Sequence, residues 1–168
     1  MIGNYKKRLP VSCSKKFQMS VEQLWDMISS PGNLNIAHPF CKSNEVITWD
    51  EEHKDRLEYL NGRTYIRNFQ TWTPNEGYTL LIGEENGSQS YVVWNLERIS
   101  DSESSLTITV YPFILAKLPR LLAYLPHVLW VKPRLEAYLN SVVGGFQYYS
   151  KKGETVPRNH FGKHKWFS

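Results

Sequence analysis

Residues 77–111 read GYTLLIGEENGSQSYVVWNLERISDSESSLTITVY, and their alternation decides the fold. Tyr78, Leu80 and Ile82 share one side of a strand. Val92, Trp94 and Leu96 do the same in the next run, and Leu106, Ile108 and Val110 in the one after. A period of two with one apolar side is the signature of strands that bury a single face. Asn86-Gly87 and the polar run Ser100–Ser105 separate the three runs. Short turns between such strands give an antiparallel meander. The apolar face then needs a cover.

Toward the N-terminus the same grammar continues. Pro74-Asn75-Glu76-Gly77 is a turn. Asn61-Gly62 lies between the runs Arg56–Leu60 and Arg63–Trp72 and supplies the positive φ angles of a tight hairpin. Residues 12–19 form a first strand. Ser20 caps a helix whose Val21, Leu24, Trp25 and Ile28 fall on one face. Ser29, Ser30, Pro31 and Gly32 stop it. Asn33 to Phe40 is a second short helix or an ordered loop, limited by Pro39.

Toward the C-terminus the chain supplies the cover. Phe113 to Pro126 is apolar, contains Pro119 and predicts one or two short helices. Pro133 suits a first helical turn. Leu135, Leu139, Val142 and Phe146 then repeat at helical spacing, and the helix is expected to run to about Tyr149. Gly144 and Gly145 lie inside it, each costing about 1 kcal/mol against Ala. A close approach to the sheet, or a bend, accounts for them. The predicted class is α+β: a curved antiparallel sheet of about six or seven strands around a long C-terminal helix, with two short helices after the first strand. A straight helix on a curved sheet leaves space, and that space is the expected pocket.

The segment Met19-Ser20-Val21-Glu22-Gln23-Leu24-Trp25-Asp26-Met27-Ile28 resembles the opening signature of the START/polyketide-cyclase-like superfamily, also called SRPBCC, the helix-grip fold. Pro31-Gly32-Asn33-Leu34 with His38-Pro39-Phe40-Cys41 is similar to a subgroup version of the next segment. Lys132-Pro133-Arg134-Leu135-Glu136-Ala137-Tyr138-Leu139 with Gly144-Gly145 resembles the closing helix. The likeness covers roughly residues 12–150. It implies a fold more than a function, because the superfamily hosts lipid transfer, hormone binding, aromatic cyclisation and subunits of larger enzymes. Residues 1–11 are read as a basic N-terminal segment, 12–150 as the helix-grip domain and 151–168 as a basic aromatic tail.

At 168 residues, one domain is the default. Two cysteines, Cys13 and Cys41, make no disulfide framework and are read as reduced thiols. The basic start lacks the apolar run of a secretory signal, and no stretch is long and apolar enough to span a membrane. A cytoplasmic protein is expected. The net charge of +4 is concentrated at the two ends. Such ends are solvated tails that allow weak contact with an anionic surface; no nucleic-acid motif accompanies them.

The pocket candidates are His38, Cys41, Trp49, Tyr59, Tyr65, Arg67, Asn68, Gln70, Trp94, Tyr111 and Tyr138. His38 and Cys41 are three apart, but neither a third metal ligand nor an oxyanion hole is evident. In the strand Arg63–Trp72, one face holds Tyr65, Arg67 and Phe69. The other holds Thr64, Ile66, Asn68, Gln70 and Trp72. Either phase puts polar groups among apolar ones, and alternation alone leaves the buried phase open. His160 and His164 are four apart, too few for a zinc site. Phe161, Trp166 and Phe167 suggest docking, on the domain itself or on a partner, with a homodimer allowed. No cofactor or metal is expected. The leading functional expectation is binding of a small, mostly hydrophobic ligand: a lipid, an isoprenoid or an aromatic polyketide. The alternatives are a cyclase or dehydratase using His38, Arg67 and tyrosines of the wall, and an interaction subunit using the tail.

Overall fold

The computed structural model describes residues 2–168. A short helix, α1 (Ile2–Tyr5), precedes β1 (Val11–Phe17), α2 (Val21–Ser29) and α3 (Leu34–Ala37). Six strands follow: β2 (Cys41–Thr48), β3 (Lys54–Tyr59), β4 (Thr64–Thr73), β5 (Gly77–Gly83), β6 (Gln89–Ser100) and β7 (Glu103–Tyr111). The chain ends with α4 (Arg120–Pro126), a π-helical turn (His127–Val131) and the long α5 (Lys132–Lys152).

All seven strands join one antiparallel sheet in the order β1-β7-β6-β5-β4-β3-β2. The meander read from the alternation is its centre. Tyr78 lies opposite Trp94, Leu80 opposite Val92, and Trp94 opposite Ile108. Their side chains stack on one face and are almost fully buried. Each such burial contributes about 1.5–3 kcal/mol.

Local chemistry explains the helix ends. Ser20 Oγ accepts from the Gln23 amide while the Ser20 amide donates to Gln23 Oε1, a reciprocal cap. Val21, Leu24, Trp25 and Ile28 are the buried stripe of α2. Pro126 removes a donor from α4, and the wider π turn after it carries the helix on into α5. Gly153, at φ 67°, caps α5, three residues beyond the expected end.

The two glycines within α5 do mark a close approach, but not to the sheet. A methyl at Gly145 would lie 2.0 Å from the Ala37 carbonyl oxygen, so α5 touches the backbone at the end of α3. At Gly144 the neighbour is the Phe161 ring. The hairpin at Asn61-Gly62 also differs in detail: only Gly62 takes a positive φ, in a four-residue loop closed by a Tyr59 amide to Arg63 carbonyl bond.

The segment expected to cover the sheet does so only in part. Phe113 and Ile114 face inward, but Leu118, Leu121, Leu122, Leu125 and Leu129 all point to solvent. No described helix is long and apolar enough to cross a membrane.

Candidate functional site

The concave face of the sheet and the underside of α5 enclose a cavity of about 420 Å³. That lies within the range of about 300–1,000 Å³ typical of small-molecule sites. Leu80, Val92, Ile108 and Val110 form its floor, and Leu135, Leu139 and Val142 of α5 its roof. Its length runs from the buried centre to a mouth edged by Arg63, Glu84, Trp130 and Trp166. A larger, open groove of about 710 Å³ runs outside, between residues 4–9 and the segment 112–127. The inner cavity is the better site, because it is the one bounded by sheet and helix.

One end of the cavity is polar. His38, from the loop after α3, is 4% exposed. The Phe40 amide donates to its Nδ1 at 3.2 Å, and its Nε2 lies 3.0 Å from the Tyr138 hydroxyl. The Tyr138 hydroxyl lies 3.0 Å from that of Tyr59. Burial, then the nearby Arg67 charge, pushes the His38 pKa down to about 3, so the ring is neutral. A neutral imidazole that accepts at Nδ1 carries its proton on Nε2. His38 therefore donates to Tyr138, and Tyr138 and Tyr59 share one further hydrogen bond in which either hydroxyl can be the donor. Two phenol protons serve that one bond, so one of them is left over: among the described residues neither hydroxyl has another acceptor. Tyr59 and Tyr138 both line the cavity, so this O–H is a donor available to a guest.

Arg67 also lines the cavity, with the Nε and Nη2 edge of its guanidinium turned to Asp55. Nε donates to Asp55 Oδ1 at 2.8 Å and Nη2 to Oδ2 at 2.5 Å, a fork-to-fork pair at 3% and 0% side-chain exposure. Burial acts to lower the Arg67 pKa, but the Asp55 carboxylate outweighs it; the net shift is upward and the group stays cationic. Burial, offset in part by Arg67, raises the Tyr78 pKa well above its ordinary value, and the phenol donates to the Ile28 carbonyl.

The structure brings six of the eleven pocket candidates together: His38, Tyr59, Tyr65, Arg67, Trp94 and Tyr138. The other five lie off the lining. Asn68 and Gln70 are exposed on the outer face, because Tyr65 and Arg67 take the inward phase of β4. Trp49 belongs to a separate cluster with His53, Phe69 and Trp72. Tyr111 packs at a tilt against Tyr91 at the end of β7. Cys41 is buried, and burial pushes its thiol up to about 12, leaving an inert side chain without a bond to His38.

Two lining residues come from the tail. Phe167 is 7% exposed, with its ring centroid 4.5 Å from those of Tyr59 and Tyr138. Trp166 meets Trp130 edge to face, and its carbonyl accepts from Asn61 Nδ2. The Val156 and Asn159 amides donate to the Ile36 and Pro39 carbonyls, which ties the tail down. The sequence signal was three aromatics in a polar stretch, which shows adhesion but not the place of adhesion. His160 and His164 share no helix: His160 packs on Tyr148, and the buried His164 pairs through Nε2 with the Arg134 carbonyl.

The sequence matches no established family model and no curated protein. Solved structures do match. DynU16, a protein of the dynemicin biosynthetic locus, superposes with a TM-score of 0.65 at 14% identity, over 87% of this chain and 48% of its own. A START superfamily protein from Mycobacterium smegmatis gives 0.64 at 11% identity, over 85% and 97%. The di-domain ARO/CYC protein BexL of the BE-7585A biosynthetic pathway gives 0.64 at 8% identity, over 84% and 47%. The chain thus spans about half the length of DynU16 and of BexL. At these identities the likeness is one of fold, and the fold of this chain is the START-like helix grip.

Proposed function

We propose that the chain binds a small, mostly apolar molecule that carries an oxygen acceptor at one end, held between the sheet and α5. The observation that carries this reading is the one uncommitted O–H of the Tyr59–Tyr138 pair, at a cavity of about 420 Å³ whose other walls are largely aliphatic. A buried donor without a partner costs about 1–3 kcal/mol, which a ligand carbonyl, ester or carboxylate would relieve. The apolar length of the guest supplies the affinity and the phenol donor fixes its direction. Lipids, isoprenoid ketones and aromatic polyketides all meet that description. The likeness to START and ARO/CYC structures is compatible with such a guest.

The cyclase-type alternative has less support. His38 has both ring nitrogens engaged and no lone pair aimed at the cavity. Arg67 spends its fork on Asp55. The interaction-subunit alternative is weakened because Phe167 and Trp166 are used within the chain.

The test is native mass spectrometry and thermal shift with paired ligands: a long-chain ketone and the hydrocarbon of the same length. The ketone is expected to bind more tightly, and Tyr59→Phe with Tyr138→Phe is expected to erase that preference, about a tenfold loss confined to the ketone. Val110→Trp, which fills the floor, is expected to abolish binding of both. If neither compound, nor a fatty acid or a flat polyphenol, shifts the wild type, the reading is wrong.

A further inference from the structure

The segment from Leu118 to Val131 is built inside out. Its inward side carries Ala123, His127 and Val131, four apart and all buried. Its outward side carries Leu121, Leu122, Leu125 and Leu129, spaced as one helical stripe, with Leu118 exposed in the bend just before them. Leu121 is 87% exposed, and Leu122, Leu125 and Leu129 are each more than 60% exposed. Scattered surface leucines need no explanation, but four on one helical face, with a fifth just before them in the chain, do. Tyr124 and Trp130, half open at 58% and 43%, flank the ridge.

Charge says what covers it. From residue 104 to 135 the chain holds no Asp or Glu, and its four charged residues, Lys117, Arg120, Lys132 and Arg134, are all cations. Lys7 and Arg8 border the same region across the outer groove, opposite Arg120. A twofold contact between copies through this face would set cations against cations, which is costly at a buried interface. A ridge of leucines with aromatics at its edge and lysines and arginines around it suits a different partner. The apolar side enters the acyl region, the aromatics sit at headgroup depth and the cations reach the phosphates.

We infer that the Leu118–Leu129 ridge is a docking face for an anionic lipid bilayer. The ridge stands on its own residues and not on the cavity's occupant. Its position matters all the same, because Trp130 belongs both to the ridge and to the cavity mouth, so a docked chain presents that mouth close to the lipid.

The test is flotation of the full chain with vesicles of phosphatidylcholine alone and of an equal mixture with phosphatidylglycerol. The chain is expected to float with the mixed vesicles, less so at high salt, and weakly or not at all with phosphatidylcholine. Leu121→Glu with Leu125→Glu changes two exposed positions. It should leave the melting temperature unchanged and lower partitioning about tenfold or more. Lys117→Gln with Arg120→Gln should weaken binding and flatten its salt dependence. The inference is overturned if the wild type ignores mixed vesicles, or if the leucine variant binds them equally. It is also overturned if the ridge instead holds a dimer or another protein, seen as self-association or complex formation lost in the leucine variant without any vesicle binding. Ligand shifts of the leucine variant should match wild type, which separates failure here from failure of the cavity reading.

Discussion

At the scale of single residues, His38 sets the polar end of the cavity. Its proton position follows from one backbone amide, and that choice makes it a donor to Tyr138. The same burial makes His38 a liability in acid. Its folded pKa is about 3 against an ordinary 6.5, so between those values the unfolded chain takes up a proton that the native chain refuses. Stability therefore falls as pH drops from about 6.5 toward 3, by up to about 1.4 kcal/mol per pH unit from this group. His127 and His164 are shifted in the same sense, again chiefly by burial. Replacing His38 by Gln, which can accept from Phe40 and donate to Tyr138 without titrating, is expected to flatten the slope. Urea unfolding at a series of pH values compares the two; parallel slopes would refute the assignment. In the sequence, His38 read as half of a His–Cys pair. Spacing could not reveal that its partner was Tyr138, a hundred positions away on another element.

At the scale of elements, the β3–β4 hairpin carries the buried ion pair. Asp55 and Arg67 are register partners, so the hairpin itself fixes their geometry. Arg67→Met strands a carboxylate in the interior and is expected to cost about 3–5 kcal/mol, while Arg67→Met with Asp55→Leu should recover most of it. Denaturant midpoints of the single and double variants measure this; a double variant as weak as the single would contradict it. The central strands were legible because each keeps strict alternation against one apolar face. The strand β4 was not. A register shift between Phe69 and Thr71 brings Trp72 round to stack on Tyr78, alongside Phe69, where plain alternation puts it on the opposite side. The segment Leu118–Val131 misled for a related reason. Its hydropathy suggested cover for the sheet, but only the smaller side chains turn inward.

At the scale of the whole molecule, the chain closes on itself from both ends. The tail lies across the cavity, and Phe167 forms part of the wall against Tyr59 and Tyr138. Phe167→Ala is expected to lose about 3 kcal/mol and to enlarge the cavity. Thermal denaturation and the size range of ligands accepted both report on it; an unchanged melting point would mean the tail is only draped over the body. The helix-grip plan itself was readable from element order, because each motif in turn carried its own local signal. The tail's seat was not, since nothing local encodes a contact made across the fold. At the other end, β1 pairs along its full length with β7, Val11 opposite Val110. During synthesis at about 5–20 residues per second, the first strand must wait on the order of 5–20 s for its neighbour to appear. Until then its hydrogen-bonding edge is open to any passing strand, so a nascent chain halted near residue 100 should be the form most prone to clump and the one most in need of a chaperone.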